Sequence, residues 1–277
     1  MDIQEKFSLA ATAIREASAM VITAGAGMGV NSGLPDFRGD HGFWNAYPMY
    51  ERLGLSFVQA ANPAHFERDP AFGWGFYGHR MNLYRETMPH RGFSLIQEWI
   101  DRFGLESFVV TSNVDGQFQK AGFPEDGILE VHGSIHHLQC ISPCSAAIWE
   151  NNETIPVDFA TMKARHVPTC IICGATARPN ILMFGDWSWL SERTAAQERS
   201  FDEFITDNRA SRLVVVELGA GMAIPTIRHM SERLGSRSGA KVIRINPREG
   251  QIGAPHISIP CAALEGLSGI EEAFRFL

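Results

Sequence analysis

No stretch of this sequence stays apolar for the roughly 18 residues that a bilayer-spanning helix needs. The best run, Leu213 to Pro225, is broken by Glu217. The N-terminal MDIQEKFSLA has no basic run ahead of an apolar core, so a secretory signal is not expected. Positive charge is also short. The 24 Lys and Arg face 31 Asp and Glu, a net charge of −7, which argues against a general nucleic-acid or polyanion binder. Cysteine is scarce and odd in number, at five. Four of the five fall in two close pairs, which suits a metal site in a reducing compartment better than a disulfide framework. Internal repeats, low-complexity tracts and flexible linkers are absent. The expectation is a soluble, cytoplasmic chain with neither a nucleic-acid nor a membrane partner, and with its oligomeric state left open.

What is present is an ordinary globular composition, 45% hydrophobic and 20% charged. At about 150 residues per domain, 277 residues make one large or two modest domains, enough for a sizeable core. Phe7, Ala10, Ile14 and Ala17 repeat at helical spacing within 4–19. Met20 to Ala24, Leu213 to Leu218 and Lys241 to Ile245 read as buried strands, and Phe108 to Thr111 and Ile128 to Val131 as shorter ones. Helical patterns lie between them, notably at 92–103, 191–207 and 264–276. Strands alternating with helices predict an α/β fold, a parallel sheet covered on both faces. Ligands of such sheets bind beyond the carboxyl ends of the strands. Residues 41–90 are aromatic-rich and look helical around 70–87, and 134–177 hold the cysteine pairs with little regular pattern. Both read as insertions that build a smaller module.

Met20 to Ala24 runs into Gly25-Ala26-Gly27-Met28-Gly29. Glycines after a strand let the backbone approach a pyrophosphate, and Gly25 and Gly27 fit that role. The dinucleotide fingerprint of dehydrogenases would need a third glycine where Val30 stands, and an acidic residue where Asn45 and Ala46 stand. Hydride transfer is therefore disfavoured. Cys140-x3-Cys144 and Cys170-x2-Cys173 are two knuckles 25 residues apart. Four thiolates at such spacings suit one tetrahedral Zn²⁺, with no open position for water, so the metal would be structural. For Cys261, which stands alone, core packing is expected.

The run Gly25-Ala26-Gly27-Met28-Gly29-Val30-Asn31-Ser32-Gly33-Leu34-Pro35-Asp36-Phe37-Arg38-Gly39 resembles the signature of the sirtuins, the NAD-dependent protein deacylases. Further blocks match in the same order: Thr111-Ser112-Asn113-Val114-Asp115, Val131-His132-Gly133, the four cysteines, Arg178-Pro179 leading to Phe184-Gly185-Asp186, and Asn246. The resemblance spans roughly residues 4 to 276. It implies a Rossmann-like NAD-binding domain from 1–40, 91–133 and 178–277. A small domain of 41–90 and 134–177 would carry a helical part and a zinc ribbon.

The resemblance also implies roles. His132 would be the general base at a ribose hydroxyl, a task that suits imidazole. Asn113 would orient water and ribose, and Asp115 would hold the nicotinamide carboxamide. Phe37 would shield the ribose, and Arg38 would lie near phosphates and ribose. Gly25, Ala26, Gly27, Asp36, Ser112, Gly219, Gly221 and Asn246 complete the implied cofactor contacts. Without the family, Asp36-Phe37-Arg38 reads as a polar loop and Asp115 as a helix N-cap before Gln117 to Ala121. Tyr77 and Arg80, at i and i+3 on one helix face, resemble the pattern of sirtuins that remove acidic acyl groups. The other reading is a packed tyrosine and a solvated arginine.

The match also fails in places. Ser112 stands where most sirtuins have Gln, Gln117-Phe118 replaces Leu-His, and Gly219-Ala220-Gly221-Met222 replaces a Gly-Thr-Ser loop. Trp187 and Trp189 either narrow an acyl-lysine channel or pack in the core. Asn113 to Phe123 and Glu217 to Met222 look like the macrodomain-linked branch that performs mono-ADP-ribosylation, although that branch lacks the equivalent of His132. The implied activity is therefore NAD-dependent removal of acetyl, succinyl or malonyl groups from an acylated protein or peptide, releasing nicotinamide and O-acyl-ADP-ribose. The alternative is a mono-ADP-ribosyltransferase or NAD glycohydrolase on the same fold.

Overall fold

The computed structural model describes residues 1–35 and 39–277, and the side chains of 39–41 also lie outside the description. The predicted sites Asp36, Phe37 and Arg38 therefore lie outside the described residues.

The chain opens with α1 (Ile3–Glu16), capped by Asp2 and Glu5 in a reciprocal box, and enters β1 (Ala19–Ala24). Five helices follow: α2 (Gly39–Ala46), α3 (Pro48–Arg52), α4 (Phe57–Ala60), α5 (Ala64–Arg68) and the long α6 (Pro70–Glu86). Next come α7 (Arg91–Phe103), β2 (Glu106–Thr111), the short α8 (Gln117–Lys120) and β3 (Ile128–Glu130). The second insertion carries β4 (Gly133–Cys140), β5 (Ile148–Glu150), β6 (Val157–Asp158) and β7 (Lys163–Ala164). After it run β8 (Ala177–Ile181), α9 (Glu192–Asp207), β9 (Leu213–Leu218), α10 (Thr226–Gly235), β10 (Lys241–Ile245), β11 (Ile257–Ile259) and α11 (Ala263–Ala273). No helix among the described residues is long and apolar enough to cross a membrane.

Six strands form one parallel sheet in the order β11-β10-β9-β1-β2-β3. Side chains alternate across it, as period-two geometry requires. Met20, Ile22 and Ala24 point into the core under α1, α7 and α11, whereas Ala19 and Val21 join the opposite core with Phe201 of α9 and Ile227 of α10. Burial on both faces is why these strands read as continuous apolar runs. The break at Glu217 is answered by Arg244 on the neighbouring strand, which holds both carboxylate oxygens at 2.6 and 2.9 Å in a buried pair.

Residues 134–177 show little regular pattern in sequence, yet they form strands in the structure. β4 is eight residues long and forms an antiparallel sheet in the order β5-β4-β8. Gly133-Ser134-Ile135-His136-His137-Leu138-Gln139-Cys140 hides this because two of its polar members, His136 and Gln139, find partners far away in sequence rather than in solvent. Gln139, for example, accepts from Asn180 and Leu190. The boundaries drawn at 133/134 and 177/178 fall at the start of β4 and inside β8. One core joins both insertions: Phe43, Tyr50, Trp74 and Phe76 pack with Ile135, Leu138, Ile155 and Met162. Gly75 lets α6 press against the Met162 carbonyl, which a Cβ would meet at 1.8 Å.

Candidate active site and metal centre

The strand order reverses beside β1, which has β2 on one side and β9 on the other. That is where a crevice opens in a parallel α/β sheet. A cavity of about 800 Å³ lies there, lined by the segments that leave the carboxyl ends of β1, β2, β3, β9 and β10, and by α6 and the end of β8.

The two glycine loops interlock at its floor. Gly25 N–H donates to the Leu218 carbonyl at 3.0 Å, and Gly27 N–H to the Gly219 carbonyl at 3.1 Å. A Cβ on Gly25 would lie 2.9 Å from Ala220 Cα, and one on Gly219, at φ +60°, would lie 2.4 Å from Gly27 Cα. The glycines thus serve first to let two backbones touch. Gly25, Ala26, Gly219 and Gly221 line the cavity. Gly27, expected to contact the cofactor, is not among the lining residues, and its N–H is spent on the second loop. Asn246 is also displaced from its expected place. It is fully buried behind the loop, donating to the Ala220 carbonyl at 2.9 Å and accepting from Arg248 and Glu249 N–H. It shapes the loop without facing the cavity.

Ser112, Asn113, Asp115 and His132 all line the cavity. Asn113 is pinned by donation from Nδ2 to the Gly25 carbonyl at 3.0 Å. His132 follows β3 and hydrogen-bonds the Ser112 backbone, while burial pulls its pKa below the ordinary imidazole value. One ring nitrogen is thereby tied and the other is left as a base. Asp115 accepts from Gln117 N–H at 3.0 Å, a turn onto the first residue of α8, whose N-cap is Gly116 rather than the expected Asp115. Burial, together with the Glu130 carboxylate, pushes its pKa up to about 6, against the opposing pull of Gln117 N–H and Arg80. His136 donates to the Asp115 carbonyl at 3.0 Å.

Tyr77 and Arg80 line the same cavity. The solvated reading of Arg80 does not hold, since the residue is only 7% exposed. Its guanidinium donates twice to the Tyr84 hydroxyl, at 3.0 and 2.8 Å, and stacks on Phe76, Tyr77 and Tyr84. Burial raises the pKa of Tyr77 to about 12, so its phenol stays neutral. Tyr84 was missed in the sequence, although its position four residues past Arg80 places it on that helix face. Arg248 and Glu249, which also line the cavity, were missed too; they directly follow β10, where the strand-end rule would have pointed.

Arg178 and Asp186, from two of the family blocks, form a fully buried bidentate pair at 2.7 and 2.9 Å. Asp186 also accepts from Met183 and Ser188 N–H. The loop between them is thus fixed along the cavity wall. It presents Trp187 at the rim, 98% exposed, so this indole is not a core residue.

Cys140, Cys144, Cys170 and Cys173 come together with all four Sγ within 4.8 Å of one another. Cys140 ends β4, and Cys170 sits in a tight turn closed by Gly174 N–H onto its carbonyl. Sγ separations of 3.7 Å (Cys140 to Cys173) and 3.6 Å (Cys144 to Cys170) match the edge of about 3.8 Å that a Zn–S bond of about 2.3 Å gives a tetrahedron. The donor set and spacing fit one structural zinc. Cys261 packs in the core under α11, as expected.

The sequence model of the Sir2 family matches residues 25–208. The chain is 30% identical over 82% of its length to an "NAD-dependent protein deacylase 2" of Pyrobaculum aerophilum, covering 78% of that protein. It is 27% identical to "NAD-dependent protein deacylase 1" of Caldanaerobacter subterraneus subsp. tengcongensis, covering 96% of this chain and 98% of that one. Among solved structures, one described as "Structural Basis for the Mechanism and Regulation of Sir2 Enzymes" superposes with a TM-score of 0.68 at 25% identity, covering 99% and 100% of the two chains. A Sir2 homologue–NAD complex superposes at 0.70 with 23% identity, covering 97% and 94%, a likeness of fold. The interlocked glycine loops, the strand-end crevice and the cysteine cluster lie within or beside the matched span, and the chain belongs to the Sir2 family.

Proposed function

We propose that this chain is an NAD-dependent protein deacylase that frees lysine side chains and releases nicotinamide and O-acyl-ADP-ribose. The observation that carries the reading is the convergence of His132, Asn113 and Asp115 in one cavity beside the interlocked loops. The names of the relatives point the same way, and mono-ADP-ribosyl transfer is the less favoured reading.

The dinucleotide, when bound, supplies a nicotinamide leaving group and the ADP-ribose that receives the acyl group. The protein's residues prepare the rest. Ser112 fixes the tautomer of His132, and burial keeps the imidazole neutral near pH 7, ready to take a proton from a ribose hydroxyl. Asn113, its nitrogen held by Gly25, keeps Oδ1 for ribose or water. Asp115 as a carboxylate accepts from the carboxamide N–H groups. The apolar walls around Leu182 and Phe57 keep water from the reacting carbon.

For the acyl group, Arg80 and Tyr77 in the cavity wall support a short acidic acyl such as succinyl or malonyl, which a guanidinium pairs with through two hydrogen bonds. The test is product mass spectrometry after incubation with NAD and acetyl-, succinyl- and long-chain acyl-peptides. Nicotinamide release that requires an acyl-peptide, fastest for succinyl and with an O-acyl-ADP-ribose product, is expected. Faster turnover of acetyl-peptide would remove Arg80 and Tyr77 from acyl recognition. Free ADP-ribose with intact peptides would overturn the deacylase reading itself.

A further inference from the structure

A second cavity, of about 520 Å³, lies at the opposite end of the sheet. Its walls come from α1 and from residues at or before the amino ends of strands: Leu213 opens β9, Lys241 opens β10 and Ile257 opens β11. The first cavity sits at the carboxyl ends of the same strands, so the two do not share a wall. Nothing in the proposed deacylase chemistry uses this site. Its size falls in the range of small-molecule sites, roughly 300–1,000 Å³.

Its charge runs against that of the whole chain. Lys6, Arg212 and Lys241 line it, and none of the three forms an ion pair with a described residue. Glu16 is the one carboxylate in the lining, and it is likewise unpaired among the described residues. His256 accepts the Val242 N–H at Nδ1, and burial with Lys241 and Arg244 nearby lowers its pKa, so it adds no charge. Lys241 makes only a long contact, at 3.3 Å, to the Pro255 carbonyl. Between these cations the wall is apolar: Leu9, Ala13, Ile252 and Ile257. Leu9 is 45% exposed although it sits on a helix whose other face is in the core. Unpaired cations grouped around an apolar pocket in an anionic protein call for a ligand with one negative head and an apolar body.

We propose that this cavity binds a small amphiphilic carboxylate, its head among Lys6, Arg212 and Lys241 and its chain along Leu9 and Ile252. The probe is decanoate, titrated calorimetrically into the full-length protein, with decanol and decyltrimethylammonium as comparison ligands. The protein is also titrated with a saturating decanoyl-lysine peptide present, which occupies the catalytic cavity. Decanoate is expected to bind at one site with the peptide in place, at least tenfold tighter than either comparison ligand. The double variant Lys6→Glu/Lys241→Glu should weaken it at least tenfold. Leu9→Glu, an exposed helix position whose change spares the fold, should do the same. Both variants should leave deacylation of an acetyl-peptide within twofold of the parent. Displacement by the decanoyl-lysine peptide with no effect of the variants would place decanoate in the catalytic cavity and overturn the proposal. Equal binding of decyltrimethylammonium, or no binding at all, would also overturn it. So would a concentration-dependent dimer, seen by sedimentation, that the variants dissolve and decanoate does not, since the occupant would then be a second copy of the chain.

Discussion

At the scale of single residues, Asp115 shows function working against stability. Its carboxyl is buried beside Glu130, and its pKa moves from 3.8 to about 6. Holding it ionised above that pH costs the fold up to about 3 kcal/mol at 1.36 kcal/mol per pKa unit. A carboxyl with a raised folded-state pKa destabilises where it is ionised in both states, and that cost fades as pH falls from about 6 to below 4. Asp115→Asn is therefore expected to raise the melting temperature at pH 7–8 while abolishing activity, with the gain vanishing near pH 4. Thermal unfolding across that range checks it, and an unchanged or lower melting temperature at pH 8 would contradict the assigned cost. Such residues were legible in part. Asp115 and His132 follow strands, and the family motifs singled them out there; position alone left Asp115 as a helix cap. The burial of Arg80 was not legible, because a Tyr-x-x-Arg spacing looks the same whether the guanidinium meets water or three aromatic rings. Nor was the orientation of Asn246, which depends on where the Ala220 carbonyl lies.

At the scale of elements, the apolar runs at 213–218 and 241–245 coincide with β9 and β10, since strands buried on both faces advertise themselves. β4 did not, because the hydrogen-bond partners of its Gln139 come from 180 to 190 and no local pattern encodes them. The loop after β8 carries its own anchor. Arg178 and Asp186 are both fully buried, and removing one partner of such a pair leaves an unpaired charge at a cost of about 3–5 kcal/mol. Asp186→Ala is expected to lower stability by that amount in chemical unfolding and to weaken peptide binding, since Met183 to Trp187 line the cavity. A loss under 1 kcal/mol would mean the pair contributes little to holding the loop. The cysteine cluster is the other local anchor. Metal binding there is coupled to folding of the segment that carries it. A strong chelator, or Cys140→Ser with Cys173→Ser, should release one zinc per chain and raise amide exchange in β4, β5 and β8. It should leave β1 and β9 protected. Uniform exchange across all strands would show that the metal holds the whole molecule.

At the scale of the whole molecule, the parallel sheet does the positioning. The chain spends residues just past the ends of five of the six parallel strands on the cavity: Gly25, Ser112, Asn113, His132, Gly219 and Glu249. They are separated by up to 224 residues in sequence, from 25 to 249, and only the strand order makes them neighbours. That order was inferred in kind, as a parallel sheet with a strand-end site, but the placement of β9 beside β1 is a matter of crossover that no local pattern carries. The account rests on an imidazole acting at that shared cavity, and one measurement addresses it most directly. Nicotinamide and freed lysine are counted together, by mass spectrometry, for the parent and for His132→Ala with the same acyl-peptide. The parent is expected to release one nicotinamide per lysine freed, and the variant to lose lysine release by at least a hundredfold while still exchanging labelled nicotinamide into NAD. Equal lysine release by the two proteins, or parent nicotinamide release that ignores the peptide, would contradict the account.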